Sequence, residues 1–183
     1  MRLGLLIILI GFSFSLKSQI VLNEIVAKND SILLTEFYEY SNWIELYNVG
    51  NDSVLLNTYF LSDNFNDRFK WQLPSQYIKS KSYALIFASN EDSDWHANFK
   101  ISSEGERLFL SHIDSGTVDS FPSVRLLSNQ AFGRYPDGGT QTGILNSSSP
   151  NATNDSIAQN FSTLYFSHEN AFHQKPFNLE IQA

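Results

Sequence analysis

The sequence predicts an all-β fold, an antiparallel β-sandwich, on three observations. Short runs of β-branched and aromatic residues recur at close spacing with turn formers between them. Several of these runs alternate apolar with polar residues, as a strand buried on one face requires. No stretch keeps a helical period long enough to compete.

The elements follow in chain order. Ile20 to Val26 is rich in β-branched residues. Asn42 to Asn48 alternates, placing Ile44 and Leu46 on one face and Trp43, Glu45 and Tyr47 on the other. Gly50-Asn51-Asp52 is a turn, after which Val54 to Leu56 resumes the sheet and Tyr59-Phe60-Leu61 gives another short strand. Phe69 to Leu73 alternates and stops at Pro74, which predicts one shared face for Phe69, Trp71 and Leu73, with Lys70 and Gln72 in solvent. Tyr83 to Ala88 is nearly all apolar, the pattern of a central strand buried on both faces. Arg107 to His112 alternates with Leu108 and Leu110 inward, behind a turn at Gly105, and Val118 to Phe121 closes at Pro122. Ser31 to Tyr40 reads equally as a helix or as extended chain.

Before these strands, Arg2 is followed by an apolar run from Leu3 to Leu16 and by small Ser18. The run is shorter than the ~20 residues a bilayer-spanning helix requires. A basic end, an apolar middle and a small residue at the cut describe a secretory signal peptide over 1–18. The expected product is extracellular or on the cell surface, with no membrane insertion after signal removal. Its removal takes away Arg2 and Lys17 and leaves a chain more acidic than the −7 of the whole.

Composition narrows the function classes. With no Cys, disulfide frameworks, thiolate metal sites and Cys nucleophiles are excluded. With 19 acidic against 12 basic residues there is no basic face for nucleic acid. After the expected sandwich of residues 19–140, the chain from 141 to 160 is Ser-, Asn- and Gly-rich and reads as a linker. Residues 161–183 turn apolar again, in Leu164-Tyr165-Phe166-Ser167 and Pro176 to Ile181, and read as the first strands of a second, truncated β domain. Twenty-odd residues make no core of their own, so downstream domains of the same polypeptide are expected.

The chemical motifs are near misses. His168 and His173 stand five apart, ~140° around a helix axis, where a zinc pair needs four. Asp92, Asp94 and His96 would share a face on a strand, but a solvated acidic loop accounts for them better than a cation site. Asp63 to Asp67 lacks the Gly and distal Glu of a helix-loop-helix calcium site and reads as a turn. Glu104 and Glu106 flank Gly105 and are expected in solvent, with nothing to raise either pKa by burial. There is no Gly-x-Ser-x-Gly and no phosphate-cradling loop. Trp43, Trp71 and Trp95 are expected to pack the core and its edges rather than to form an exposed stacking platform. The triplets at Asn51, Asn146, Asn151, Asn154 and Asn160 are formal glycosylation acceptors and mark exposed chain.

A set of fragments in fixed order then carries a resemblance. Val21-Leu22-Asn23-Glu24-Ile25 and Trp43 to Asn48 come first, followed by Leu61-Ser62-Asp63 and Lys70-Trp71-Gln72-Leu73-Pro74. His96-Ala97-Asn98-Phe99-Lys100-Ile101, Gly105-Glu106, Leu108 to Leu110 and Gly133-Arg134-Tyr135-Pro136-Asp137-Gly138 complete it. The series resembles the lamin tail domain family in its bacterial secreted form, and the resemblance implies an immunoglobulin-like sandwich. Phe166-Ser167, Phe172 and Pro176 to Leu179 are similar to the opening of the small immunoglobulin-like domain at the C-terminus of chitobiase-type hexosaminidases.

The expected function is therefore a non-catalytic, exported β-sandwich module for binding, tethering or spacing within a larger cell-surface or secreted protein. Its ligand would be a protein or glycan, and no catalytic, cofactor or metal residue is assigned. The alternative is an accessory or targeting domain of a multidomain secreted enzyme, spore-coat-kinase-like or a hydrolase, with its catalytic part beyond residue 183.

Overall fold

The computed structural model describes residues 18–158, and the backbone of residues 165–166 and 181–182. The expected signal peptide, His168, His173 and Asn160 lie outside the described residues. The strands are β1 (Ile20–Val26), β2 (Trp43–Asn48), β3 (Val54–Leu55), β4 (Tyr59–Ser62), β5 (Trp71–Gln72), β6 (Tyr77–Ile78), β7 (Tyr83–Phe87), β8 (Leu108–His112), β9 (Gly116–Phe121), β10 (Phe132–Arg134) and β11 (Thr142–Ile144). Among the described residues a single 3-10 turn, Leu56–Thr58, interrupts them. Among the described residues no helix is long and apolar enough to cross a membrane.

The fold is all-β, as expected. A five-stranded antiparallel sheet runs in the order β11-β10-β1-β2-β7, and a four-stranded one in the order β5-β4-β8-β9. Between them lies one core: Ile20, Leu22 and Ile25 of β1, Ile44 and Leu46 of β2 and Ile86 of β7 share a cluster with Leu61, Trp71, Leu108, Leu110 and Phe121 of the other sheet. Arg134 ties the sheets at one end. Its guanidinium donates to Asp119 of β9 at 2.7 and 2.9 Å and to the Leu22 carbonyl of β1 at 2.7 Å. Separately, β12 (Tyr165–Phe166) pairs antiparallel with β13 (Ile181–Gln182).

The face of the five-stranded sheet turned away from that core is also covered. Val26, Trp43, Phe87, Ala131 and Leu145 form a second buried cluster, with Ile32, Leu33, Leu85 and Ile157 packed on it. A bulge makes this possible. The register of β1 against β2 shifts between Leu22 and Glu24, so Leu22 and Ile25 both face the main core while Glu24 and Val26 turn outward.

Three expectations need correction. Tyr83 to Phe87 is an edge strand, not a central one; its apolar pattern reflects the two clusters above and below it rather than strands on both sides. Phe69 precedes the two-residue β5 and is 46% exposed, packing edge-to-face on Phe60 at 5.1 Å, whereas Trp71 and Leu73 are buried as expected. The segment taken for a linker is part of the fold as far as residue 158. Thr142–Ile144 pairs with β10, Leu145 joins the outer cluster, and Asn154 is 1% exposed.

Candidate binding surface

The chain between β1 and β2 is neither helix nor strand. Asn29, nearly buried, fixes both of its arms: its side-chain amide donates to the carbonyls of Leu33 (2.6 Å) and Ser41 (2.9 Å), and its oxygen accepts from the N–H of Ile32 (3.0 Å). Thr35 builds the tip in the same way. Its hydroxyl accepts from the Phe37 N–H at 3.2 Å, its N–H donates to the Glu39 carbonyl at 2.8 Å, and Leu34 bridges Tyr40. Tyr38 sits in the left-handed region at φ 63°, which an L-residue other than Gly, Asn or Asp rarely adopts. Ile32 and Leu33 point down onto the Trp43 cluster. Phe37, Tyr38 and Tyr40 point away, at 60, 86 and 49% exposure.

Glu36 anchors the tip to the body. Its carboxylate lies 3.1 Å from Nε2 of buried His96, and on the other side of the ring Nδ1 meets Ser89 Oγ at 2.9 Å and Glu91 at 3.2 Å. The bond to its own backbone N–H and then the imidazole hold the Glu36 carboxyl below its ordinary range. Phe87 and Phe37 flank the ring at 5.2 and 5.7 Å. The Ser–His–Glu order suggests a nucleophile relay, but the geometry opposes it. Nδ1 is shared between the Glu91 carboxylate and Ser89, and in the ring state that donates to Glu91 it has no lone pair to take the serine proton. Asp92 and Asp94 stand exposed, as the solvated acidic loop expected there requires, with Asp92 and Trp95 at positive φ. Among the described residues no group of three or more His, Asp or Glu is arranged to hold a metal. Beside the tip, a small cavity of about 110 Å³ is lined by Tyr40, Ser41, Asn42, Ala88, Ser89 and Lys100.

Composition did not disclose a second assembly, on the outer sheet face. Glu24 and Glu45 are register partners on β1 and β2, and both are fully buried. Residues 149–154 close over them. Glu24 accepts from the Ser149 N–H (3.1 Å) and hydroxyl (3.0 Å), and Glu45 accepts from the Asn151 N–H at 2.6 Å. Asn23, the extra residue of the bulge, donates 3.1 Å bonds to Glu45 and to Asp137, and Asp137 also accepts from the Asn154 N–H at 3.1 Å. Gly138 follows at φ 65°; an added Cβ would fall 2.2 Å from Val49, so this turn takes only glycine. The sequence signal is a lone carboxylate in each of two largely apolar strands. Asn154 is thus a buried tether, not the exposed acceptor expected from its triplet.

Loss of hydration pushes the Glu24 carboxyl up to about 7 and that of Glu45 up to about 8, and the negative charge of Asp137 adds to both. A carboxyl raised from 4.5 holds its proton more tightly folded than unfolded, so its contribution is full below 4.5 and is lost as pH climbs to about 7 for Glu24 and about 8 for Glu45. The thermal midpoint is therefore expected to fall by more than ~5 °C between pH 5.5 and 8.5. Glu24→Gln/Glu45→Gln should flatten that slope. Equal midpoints at both pH values would show that the two carboxyls titrate normally.

The remaining expected positions are structural. Asp63 pairs with Lys70 at 2.7 Å, and Asn64 Oδ1 accepts from the Asn66 N–H, the self-bonded turn foreseen. Glu104 is exposed beside Arg125. Glu106 departs from expectation: partial burial raises its carboxyl, which caps the Ser102 N–H at 2.7 Å. Trp43 and Trp71 are buried and Trp95 half-buried against the core, so none of the three is an open platform.

No curated protein matches this chain. No solved structure matches it either. Residues 15–125 match the family described as Lamin Tail Domain. That span contains β1 to β9 and the Asn23-Glu24, Trp43 and His96 segments on which the architecture above is built. With well over half of its length matched in this way, the chain belongs to the lamin tail domain family.

Proposed function

We propose that this chain is an exported, non-catalytic module that binds or tethers within a larger cell-surface or secreted protein of bacterial type, and that the aromatic turn Leu34–Tyr40 is its contact surface. The observation that carries this reading is the exposure of Phe37, Tyr38 and Tyr40 on a turn whose base is fixed by Asn29, Thr35 and His96. Aromatic side chains held in water on a rigid base lose little conformational freedom on binding and offer large faces to a partner. A glycan is the favoured ligand, because the polar cavity lined by Asn42, Ser89 and Lys100 adjoins the Tyr40 ring. Rings for stacking beside hydroxyl-binding groups suit a sugar. A chitobiase-like second domain, opening within residues 161–183, completes the reading.

The test is depletion. Labelled protein is mixed with insoluble chitin, cellulose and peptidoglycan, and the fraction left in solution is measured. Saturable depletion on at least one polymer is expected. Absence of depletion on all three removes the glycan assignment. Turnover of glycosidic, phosphodiester or peptide substrates by the purified chain would overturn the non-catalytic reading itself.

A further inference from the structure

The turn Leu34–Tyr40 carries carboxylates among its exposed rings. From Glu36 it runs Glu-Phe-Tyr-Glu-Tyr, so each acid is next to an aromatic residue along the chain. Glu39 is exposed and pairs with no Lys, Arg or His among the described residues. Glu36 is exposed as well, with one oxygen 3.1 Å from Nε2 of His96. Across the same ring, exposed Glu91 stands 3.2 Å from Nδ1. The Phe37 ring packs on this imidazole too, at 5.7 Å between centroids, so an exposed aromatic group and two carboxylates meet on one buried side chain. An imidazole carries at most one positive charge. The cation on the wall of the adjoining cavity is Lys100. Against the carboxylates of Glu36, Glu39 and Glu91, these two leave the tip negative whichever state His96 adopts.

We propose that the glycan taken by this turn carries free amino groups, as a polymer of glucosamine does, and that Glu36 and Glu39 receive them beside the Phe37, Tyr38 and Tyr40 rings. The proposal rests on the glycan reading above and adds the ligand's charge. An ammonium group is attracted both by an aromatic face and by a neighbouring carboxylate. Consecutive Cα atoms lie ~3.8 Å apart, so a group seated on the Tyr38 ring stays within a Debye length of the carboxylates on either side. Lys100 gives the sugar a direction. It repels the amine and can donate to a hydroxyl oxygen from the cavity wall beside Tyr40. An acidic sugar would meet the carboxylates of the turn, and a neutral one would gain from stacking and hydroxyl bonds alone. The polar cavity beside the rings favours a sugar over a basic peptide, since it offers hydroxyl partners that a lysine side chain cannot use.

The full chain is titrated with glucosamine tetramer and with N-acetylglucosamine tetramer at pH 6, where the free sugar amines are protonated, and binding is followed by NMR. The two ligands share a backbone and differ at the amine. The glucosamine tetramer is expected to bind at least ~10-fold more tightly and to shift the resonances of Phe37, Tyr38 and Tyr40. Its affinity should fall at least ~3-fold from about 50 to about 500 mM salt. Glu39→Gln should weaken it at least ~3-fold, while Asp114→Asn, the same change of charge on the exposed turn between β8 and β9, leaves it intact. The proposal is overturned if neither tetramer binds, if the two bind equally, or if the acetylated one binds more tightly. Equal losses in Glu39→Gln and Asp114→Asn would overturn it too, by showing attraction to the overall charge alone. Tetralysine binding as tightly at the same resonances would make the ligand a basic peptide and overturn the sugar assignment. Depletion on chitin, cellulose or peptidoglycan without a preference for the free amine would leave the glycan reading standing, so the two fail separately.

Discussion

Trp71→Ala is expected to cost about 3–5 kcal/mol of folding free energy. The indole is 5% exposed and belongs to the cluster shared by both sheets, with Trp71 of β5 standing opposite Leu61 of β4. A close-packed core relaxes only partly around the lost volume, so a cavity term adds to the lost burial. The neighbouring positions serve as controls. Gln72 is exposed, with its side-chain amide on the Asn57 carbonyl, and Gln72→Ala should cost under ~0.5 kcal/mol. Lys70 is not the free solvent residue that alternation suggests. Its ammonium lies 2.7 Å from Asp63 and 5.2 Å from the centre of the Phe99 ring, so Lys70→Ala should cost about 1 kcal/mol. Urea denaturation of the three variants checks the order. A small loss at Trp71, with strong iodide quenching of its fluorescence in the folded protein, would place that ring on the surface.

The second large effect concerns the segment after Ile144. Removing residues 151–183 takes away the Asn151 N–H from Glu45, Asn154 from Asp137, Asn23 and Arg134, and Ile157 from the Trp43 cluster. Each lost bond to a buried group costs on the order of 1–3 kcal/mol. A 19–150 form is therefore expected to melt more than ~5 °C below a 19–158 form at pH 7. Calorimetry on the two decides it. Equal midpoints would show that the loop over Glu24 and Glu45 contributes nothing to stability.

That loop also explains where reading the sequence stopped. Strand β1 is legible from its β-branched residues, and β2 to within one residue of its start, because alternation of Ile44 and Leu46 against Trp43 and Tyr47 separates the two faces of a pleat. The linker was misread because its Ser and Asn residues bury little apolar surface. What orders it is a set of N–H groups aimed at carboxylates on a neighbouring sheet, and composition does not record partners so distant in sequence. Phe69 departs from the predicted face because it precedes β5, in the turn before Trp71 where the pleat does not yet exist. Trp43 and Trp71 were correctly read as packing residues. The exposed aromatics at 37, 38 and 40 were not singled out, since an aromatic run looks the same whether its partners lie in the core or outside the protein.

In the proposed function, the turn Leu34–Tyr40 is the contact surface of a rigid, non-catalytic sandwich. Its most direct test is the depletion isotherm of Phe37→Ala/Tyr38→Ala beside that of the unaltered protein, with thermal midpoints measured on both. Because these two side chains lie outside both cores, the midpoints should agree within ~2 °C while affinity falls at least ~10-fold. Unchanged affinity with unchanged stability would contradict the claim and move the binding surface elsewhere on the sandwich.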